Sequence, residues 1–230
     1  PVLAAKSPSD CFDTALEACR IAVTYRTPVI MLSDGYLGNG AEPWKVPDLA
    51  EIPRIDPRFA TEPNTTAADG SPRFMPYRRD PQTLARPWAL PGTKGLEHRV
   101  GGLEKSAHTG AISYDPANHE EMVATRAAKV KGIAKTIPPT AVDDPSGDAD
   151  VLVLGWGSAY GPITAAVRRV RARGLSIAQA HVRHLNPLPE DLGDVLRRYR
   201  QIVVPEMNTG QFAMLLRSKY LIDVKTISRV

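Results

Sequence analysis

Between Ser9 and Arg26 apolar side chains recur mostly at three- and four-residue steps, at Phe12, Ala15, Leu16, Cys19, Ala22 and Val23, after a capping residue in Ser9 or Asp10. That spacing predicts an amphipathic helix with these residues on its buried side. Pro28 to Ser33 is an almost unbroken apolar run rich in β-formers, closed by Asp34-Gly35, and predicts a buried parallel strand. Helical periodicity returns from Asn118 to Lys135, where Met122, Val123, Ala127, Val130 and Ile133 share a face and Arg126, Lys129 and Lys131 fall on the solvated side.

A polar connector at residues 143–148, DDPSGD, marks the best domain boundary. Beyond it strands at 151–154, 175–182, 201–204 and 223–227 alternate with helices at 162–173, 189–199 and 210–219. Such alternation predicts right-handed βαβ units on a parallel sheet with helices on both faces, and places the turns 155–161 and 206–211 together at its carboxyl edge.

Between Pro43 and Pro91 the pattern breaks down: ten prolines fall in 49 residues, roughly four times the ~5% average. Proline lacks the donor that helices and central strands need, so the stretch predicts an irregular excursion. Trp44, Phe59, Phe74, Tyr77 and Trp88 within it argue for packing over a partner, since disordered linkers are poor in such residues. Residues 97–116 show no sustained period and read as loop.

Composition narrows the function classes. Of 230 residues 43% are hydrophobic and 23% charged, which excludes collagen, coiled coil and wholesale disorder. No apolar run approaches the ~18 to 20 residues that cross a bilayer, so no membrane role is expected. Lys and Arg exceed Asp and Glu by 29 to 25, too mild an excess to argue for nucleic acid. Cys11 and Cys19, both on the first helix, read as small buried hydrophobes in a reducing cytoplasm. The chain opens on Pro1 without a signal segment and reads as part of a longer polypeptide.

Four groups of residues invite chemistry. Gly155-Trp-Gly-Ser-Ala-Tyr-Gly161 joins a strand to a helix, as a phosphate cradle does, but with GxGxxxG spacing and no acidic ribose partner; it reads as a tight turn. Glu206, Asn208, Gly210 and Gln211 gather at another strand-to-helix turn, with a cap plus a Glu206–Arg pair as the structural reading and a pocket or interface as the functional one. Asp34, Gly35 and Tyr36 end the first strand, with the same two readings. His98, His108 and His119 are too widely spaced for a metal site, and the arginines of 168–173 and 197–200 read as solvated helix ends.

Three stretches carry a resemblance: Thr27-Pro-Val-Ile-Met-Leu-Ser-Asp-Gly-Tyr-Leu-Gly; Gly95-Leu-Glu-His with Asn118-His-Glu-Glu-Met-Val-Ala-Thr-Arg-Ala-Ala-Lys-Val; and Val204-Pro-Glu-Met-Asn-Thr-Gly-Gln. In this order the chain resembles the alpha subunit of the 2-oxoacid:ferredoxin oxidoreductases, nearest the 2-oxoglutarate branch. The resemblance implies an α/β chain: the tail of a thiamine-diphosphate pyrimidine-type domain over 1–147, with its excursion at 43–91, then most of a transketolase C-terminal-like doubly wound parallel sheet over 148–230. It also implies a cytoplasmic heterotetramer of two alpha–beta pairs that converts 2-oxoglutarate and coenzyme A to succinyl-CoA and CO2 in the tricarboxylic acid cycle, reducing ferredoxin. Thiamine diphosphate, magnesium and a 4Fe-4S iron-sulfur cluster would be held mainly by the beta subunit.

No catalytic, cofactor-binding or metal-ligating residue carries over onto this segment. Asp34, Gly35, Tyr36, Glu97, His98, His119, Glu206, Asn208, Gly210 and Gln211 match the family's pattern and are expected to shape the subunit interface and the rim of the active site. The competing expectation is a non-catalytic doubly wound nucleotide-binding or scaffolding module built on Gly155 to Gly161.

Overall fold

The computed structural model describes residues 1–229. Along the chain run β1 (Val2–Ala4), α1 (Asp10–Tyr25), β2 (Ile30–Leu32), α2 (Gly35–Asn39), the two-residue strands β3 (Phe59–Ala60), β4 (Thr65–Thr66), β5 (Pro72–Arg73) and β6 (Trp88–Ala89), and α3 (Pro116–Ile133). There follow β7 (Val142–Asp143), β8 (Val151–Trp156), α4 (Tyr160–Arg171), β9 (Ala178–Val182), β10 (His184–Asn186), α5 (Leu192–Arg197), β11 (Gln201–Glu206), α6 (Gln211–Tyr220) and β12 (Val224–Ser228). Two compact units emerge: 1–18, 29–47 and 134–230 form the first, and 19–28 with 48–133 the second. The first unit thus draws on both sides of the 143–148 connector, and its larger sheet already includes Val142 and Asp143.

That sheet has the order β12-β11-β8-β9-β7, parallel except for β7. Alternation along β8 explains the layers. Leu152 and Leu154 enter the main core with Val204, Leu192, Leu196 and Leu216, which brings α5 and α6 onto one face. Val153 points the other way and meets Ile163 and Val167 of α4. Helices on both faces, and turns 155–161 and 206–211 at one carboxyl edge, are as the alternation predicts. The chain leaves β8 toward β9 and later returns to place β11 on β8's other side, so the carboxyl ends of β8 and β11 form a topological switch point.

The smaller sheet of this unit, β10-β1-β2, pairs β2 parallel to β1. The expected burial of β2 does not occur within this chain: Ile30 and Leu32 are exposed, because β2 is the edge strand and nothing here covers its side chains. Helix α1 also departs from its reading. Asp10, Thr14, Ile21 and Tyr25 are its buried positions, whereas Ala15 and Cys19 are exposed. The reason is electrostatic. Arg183 pairs with both Asp10 and Glu17, and His184 lies 2.7 Å from Glu17, so the polar stripe faces inward. Burial alone would raise the Glu17 carboxyl, but the hydrogen bonds and charges of His184 and Arg183 prevail and hold it at about 2.

The second unit replaces sheet hydrogen bonds with side-chain amides, as its proline content requires. Asn64 exchanges two bonds with the Met75 backbone at 3.0 and 2.8 Å, and Asn118 accepts from Ala107 N and donates to Lys105 O. Phe59 stacks on Trp88 and Phe74 is buried against His98, so these aromatics of the excursion pack within the chain. Helix α3 begins at Pro116 after Asp115, whose carboxylate accepts from Ala117 N at 2.9 Å. Lys129 does not lie on its solvated side: it is buried, and burial together with Arg79 and Arg86 lowers its ammonium to about 8.

Candidate functional site

A cleft of about 280 Å³ in the first unit opens at the switch point. It is walled by the ends of β1 and β2 (Ala4, Ala5, Leu32), by Asp34, by the turn after β8 (Trp156, Ser158) and by the turn after β11 (Glu206, Asn208). Three of the four residue groups singled out in the sequence therefore meet in one place.

Glu206 is the anchor. Its buried carboxylate accepts from Trp156 Nε1 at 3.2 Å, Asn208 Nδ2 at 2.9 Å, and the backbone N–H groups of Phe212 and Ala213 at 3.1 and 3.0 Å. Among the described residues the expected Glu206–arginine pair is not formed. The negative charge is met instead by the first-turn donors of α6, whose dipole favours an anion there. Asn208 Oδ1 accepts from Gly210 N at 2.7 Å and closes the turn. Gly210 has a φ of 91°, a left-handed conformation that a side chain would strain, and it is packed against Ser228. Gln211 opens α6 and is exposed.

Asp34 faces the same cleft from β2. It caps α2 by accepting from Leu37 N at 3.0 Å, and it accepts a hydrogen bond from Ser158 Oγ. Sequence reading missed Ser158, whose hydroxyl joins the two sheets of the unit. Gly35 opens α2, and Tyr36 is largely exposed. Both acidic side chains of the cleft are thus engaged by neutral donors. They fix loop geometry and present no free carboxylate for proton transfer or for a magnesium-bound diphosphate.

Of the glycines in the 155–161 turn, Gly155 has a packing role. A Cβ on Gly155 would stand 2.5 Å from Ile163 Cδ1 and 3.4 Å from His181 Nδ1, so a side chain here would displace Ile163. His181, also missed, carries two buried ring nitrogens without hydrogen-bond partners and lies edge-on to Tyr160 at 5.0 Å. Burial, with the charge of Lys6, lowers it to about 4.

The remaining expected residues belong to the second unit and are not gathered into one site there. Glu97 is exposed, His98 Nδ1 is 2.8 Å from Leu96 O, and His119 pairs with Glu104 at 2.6 Å. Among the described residues no group of three His, Cys, Asp or Glu could hold a metal. The chain's two cysteines, eight positions apart on α1, do not fit a four-thiolate cluster. Cys19 is exposed and Cys11 half-buried, so neither is the buried hydrophobe its helix position suggested. Arg171, expected on a solvated face, clamps Asp143 and the Ile177 carbonyl.

Comparison with known proteins identifies the family. The family described as pyruvate flavodoxin/ferredoxin oxidoreductase, thiamine diphosphate-binding, matches residues 1–113, and pyruvate:ferredoxin oxidoreductase core domain II matches 149–229. The 2-oxoglutarate oxidoreductase subunit KorA of Mycobacterium tuberculosis is 56% identical over 229 residues, covering 100% of this chain and 34% of that protein. A 2-oxoacid:ferredoxin oxidoreductase alpha subunit of Aeropyrum pernix is 30% identical over 90% of this chain and 32% of its own length. The solved 2-oxoglutarate:ferredoxin oxidoreductase of Magnetococcus marinus, with 2-oxoglutarate, coenzyme A and succinyl-CoA bound, superposes with a TM-score of 0.78 at 30% identity, over 99% of this chain and 38% of that one. This chain therefore spans about a third of the length of these relatives. With consecutive domains of one enzyme matched in order and the switch-point cleft built where two of the family's motifs meet, the chain belongs to the alpha subunits of the 2-oxoacid:ferredoxin oxidoreductases.

Proposed function

We propose that the chain is the alpha-subunit portion of a thiamine-diphosphate-dependent 2-oxoglutarate:ferredoxin oxidoreductase, which oxidatively decarboxylates 2-oxoglutarate with coenzyme A to succinyl-CoA and CO2. The observation that carries this reading is the 56% identity to the M. tuberculosis subunit along the whole chain. When bound, thiamine diphosphate supplies the carbanion chemistry, and the protein orients and desolvates. No diphosphate, magnesium or cluster site fits the residues of the cleft, so these groups are assigned to a beta subunit, with ferredoxin as electron acceptor and two alpha–beta pairs in the assembly.

In this reading 1–147 and 148–230 are the two inherited modules, and the excursion 43–91 packs against the beta subunit. The exposed apolar side chains of Ile30, Leu32, Trp44 and Val46 support a covering partner. Asp34, Gly35, Tyr36, Glu206, Asn208, Gly210 and Gln211 form the rim of the active site, and Glu97, His98 and His119 belong to an interface. The cysteine usage supports a reducing, cytoplasmic setting in which succinyl-CoA formation serves the tricarboxylic acid cycle.

The test is reconstitution. The chain joined to its natural continuation and a beta-type partner should reduce a low-potential acceptor in a coenzyme A-dependent manner, with 2-oxoglutarate preferred over pyruvate and branched-chain 2-oxoacids. A reconstituted complex inactive with every 2-oxoacid would overturn the reading.

A further inference from the structure

The second unit encloses a larger cavity, of about 540 Å³, whose wall carries seven arginines and two carboxylates, Asp56 and Asp80. One oxygen of each carboxylate, Oδ1, is engaged by its own turn. Asp56 accepts from Arg58 N at 2.9 Å, and Asp80 accepts from Gln82 N, Thr83 N and Thr83 Oγ1 at 3.0, 2.7 and 2.8 Å. Among the described residues Arg54, Arg58, Arg78, Arg79 and Arg86 form no ion pair.

Three of the seven guanidinium groups, those of Arg26, Arg79 and Arg86, are held against aromatic rings. Arg26 lies 4.0 Å over the Trp88 ring and donates to the Val23 and Pro57 carbonyls. Arg79 and Arg86 lie 5.5 and 5.0 Å from the centre of the Tyr77 ring. Arg79 Nε is buried without a hydrogen-bond partner, and its Nη2 meets only the Met122 sulfur, at 3.7 Å. The crowding bears on neighbouring cations: Arg26 is lowered by burial and by Arg58 against the opposing charge of Asp56, and Lys129 by burial, Arg79 and Arg86. Seven guanidinium groups against two carboxylates leave the wall with an excess of positive charge that a multiply charged anion would offset.

We propose that this cavity binds a diphosphate-class anion, either free or carried by a nucleotide. Guanidinium forks match phosphate oxygens two at a time, and a group with several charges on adjacent phosphates can bridge arginines on separate loops. The volume lies in the range of small-ligand sites, and the concavity favours a small anion over the flatter face of an acidic protein. The proposed site is built wholly from residues of the second unit. It does not depend on which 2-oxoacid the enzyme uses.

The experiment is calorimetric titration of the intact complex, preloaded with thiamine diphosphate and magnesium and freed of excess metal, with pyrophosphate and with ADP. We expect saturable binding with one site per chain and a Kd on the order of 10 to 100 μM. Affinity should fall at least tenfold in Arg58→Gln and in Arg86→Gln and stay unchanged in Arg168→Gln. A preference for ADP would identify a nucleotide as the source, and equal or tighter binding of pyrophosphate a free diphosphate. Should either variant fail to fold, phenylglyoxal footprinting of the wild-type complex replaces it, with Arg58 and Arg86 protected by pyrophosphate. Absence of saturation at millimolar anion, binding indifferent to both substitutions, or loss of subunit assembly with anion binding intact would overturn the proposal, the last in favour of an acidic protein partner.

Discussion

At the residue scale three side chains make measurable predictions. Glu206 answers four donors from within the core, so Glu206→Ala leaves them unsatisfied and should cost about 2 to 4 kcal/mol in urea unfolding. Glu206→Gln keeps one acceptor and should cost less than half as much. His181 is neutral in the fold, with its pKa near 4 against an ordinary 6.5. The unfolded chain therefore takes up a proton first as pH falls. The stability that depends on His181 is complete above pH 6.5 and is lost between 6.5 and 4, by about 3 kcal/mol. His181→Phe should flatten the stability curve over that window, whereas the Glu17 contribution, with its pKa at about 2, is lost only as pH falls below 4.5. For Lys129 the fold releases the proton near 8 and the unfolded chain near 10.5, so stability rises with pH across that interval. Lys129→Met should remove the rise and stabilise at neutral pH, as read by urea midpoints.

At the element scale, α4 distinguishes arginines that its sequence presents as equivalent. Arg168 is exposed and carries no ion pair among the described residues, whereas Arg171 bridges Asp143 of β7 and the chain entering β9. Arg171→Ala should cost about 1 to 2 kcal/mol and Arg168→Ala within ±0.5 kcal/mol, measured by thermal unfolding. Strand-helix alternation made β8, α4, α5, β11, α6 and β12 legible within a few residues. Periodicity located α1 and α3 equally well but misjudged their faces. A pattern of apolar residues records what is available for burial, and the Asp10–Arg183–Glu17 network shows that a charge cluster can claim the inward side.

At the scale of the molecule, the proline-rich excursion offers the clearest experiment. Amide hydrogen exchange over 43–91 should slow when the beta-type partner is added to the chain; equal, fast exchange in both states would contradict burial against that partner. The main core draws its buried residues from Ala149 to Val224, with Val142 packed against them, so a fragment starting before Thr140 should unfold cooperatively on its own. Starting at 148 should weaken it, because β7 and the Thr140–Asp191 hydrogen bonds would be removed.

The sequence by itself determined the parallel sheet, the carboxyl-edge position of both turns, the irregularity of the excursion and the family, because these depend on local period, proline content and contiguous motifs. Only the tertiary structure decided that Asp34 reaches Ser158, that Glu206 is satisfied by Trp156 and a helix terminus without an arginine, that Lys129 is buried, and that arginines scattered from 20 to 86 line one cavity. Each of these joins groups far apart along the chain or sets one charge against another's desolvation. Such terms are fixed by distance in space, and linear spacing carries no record of them.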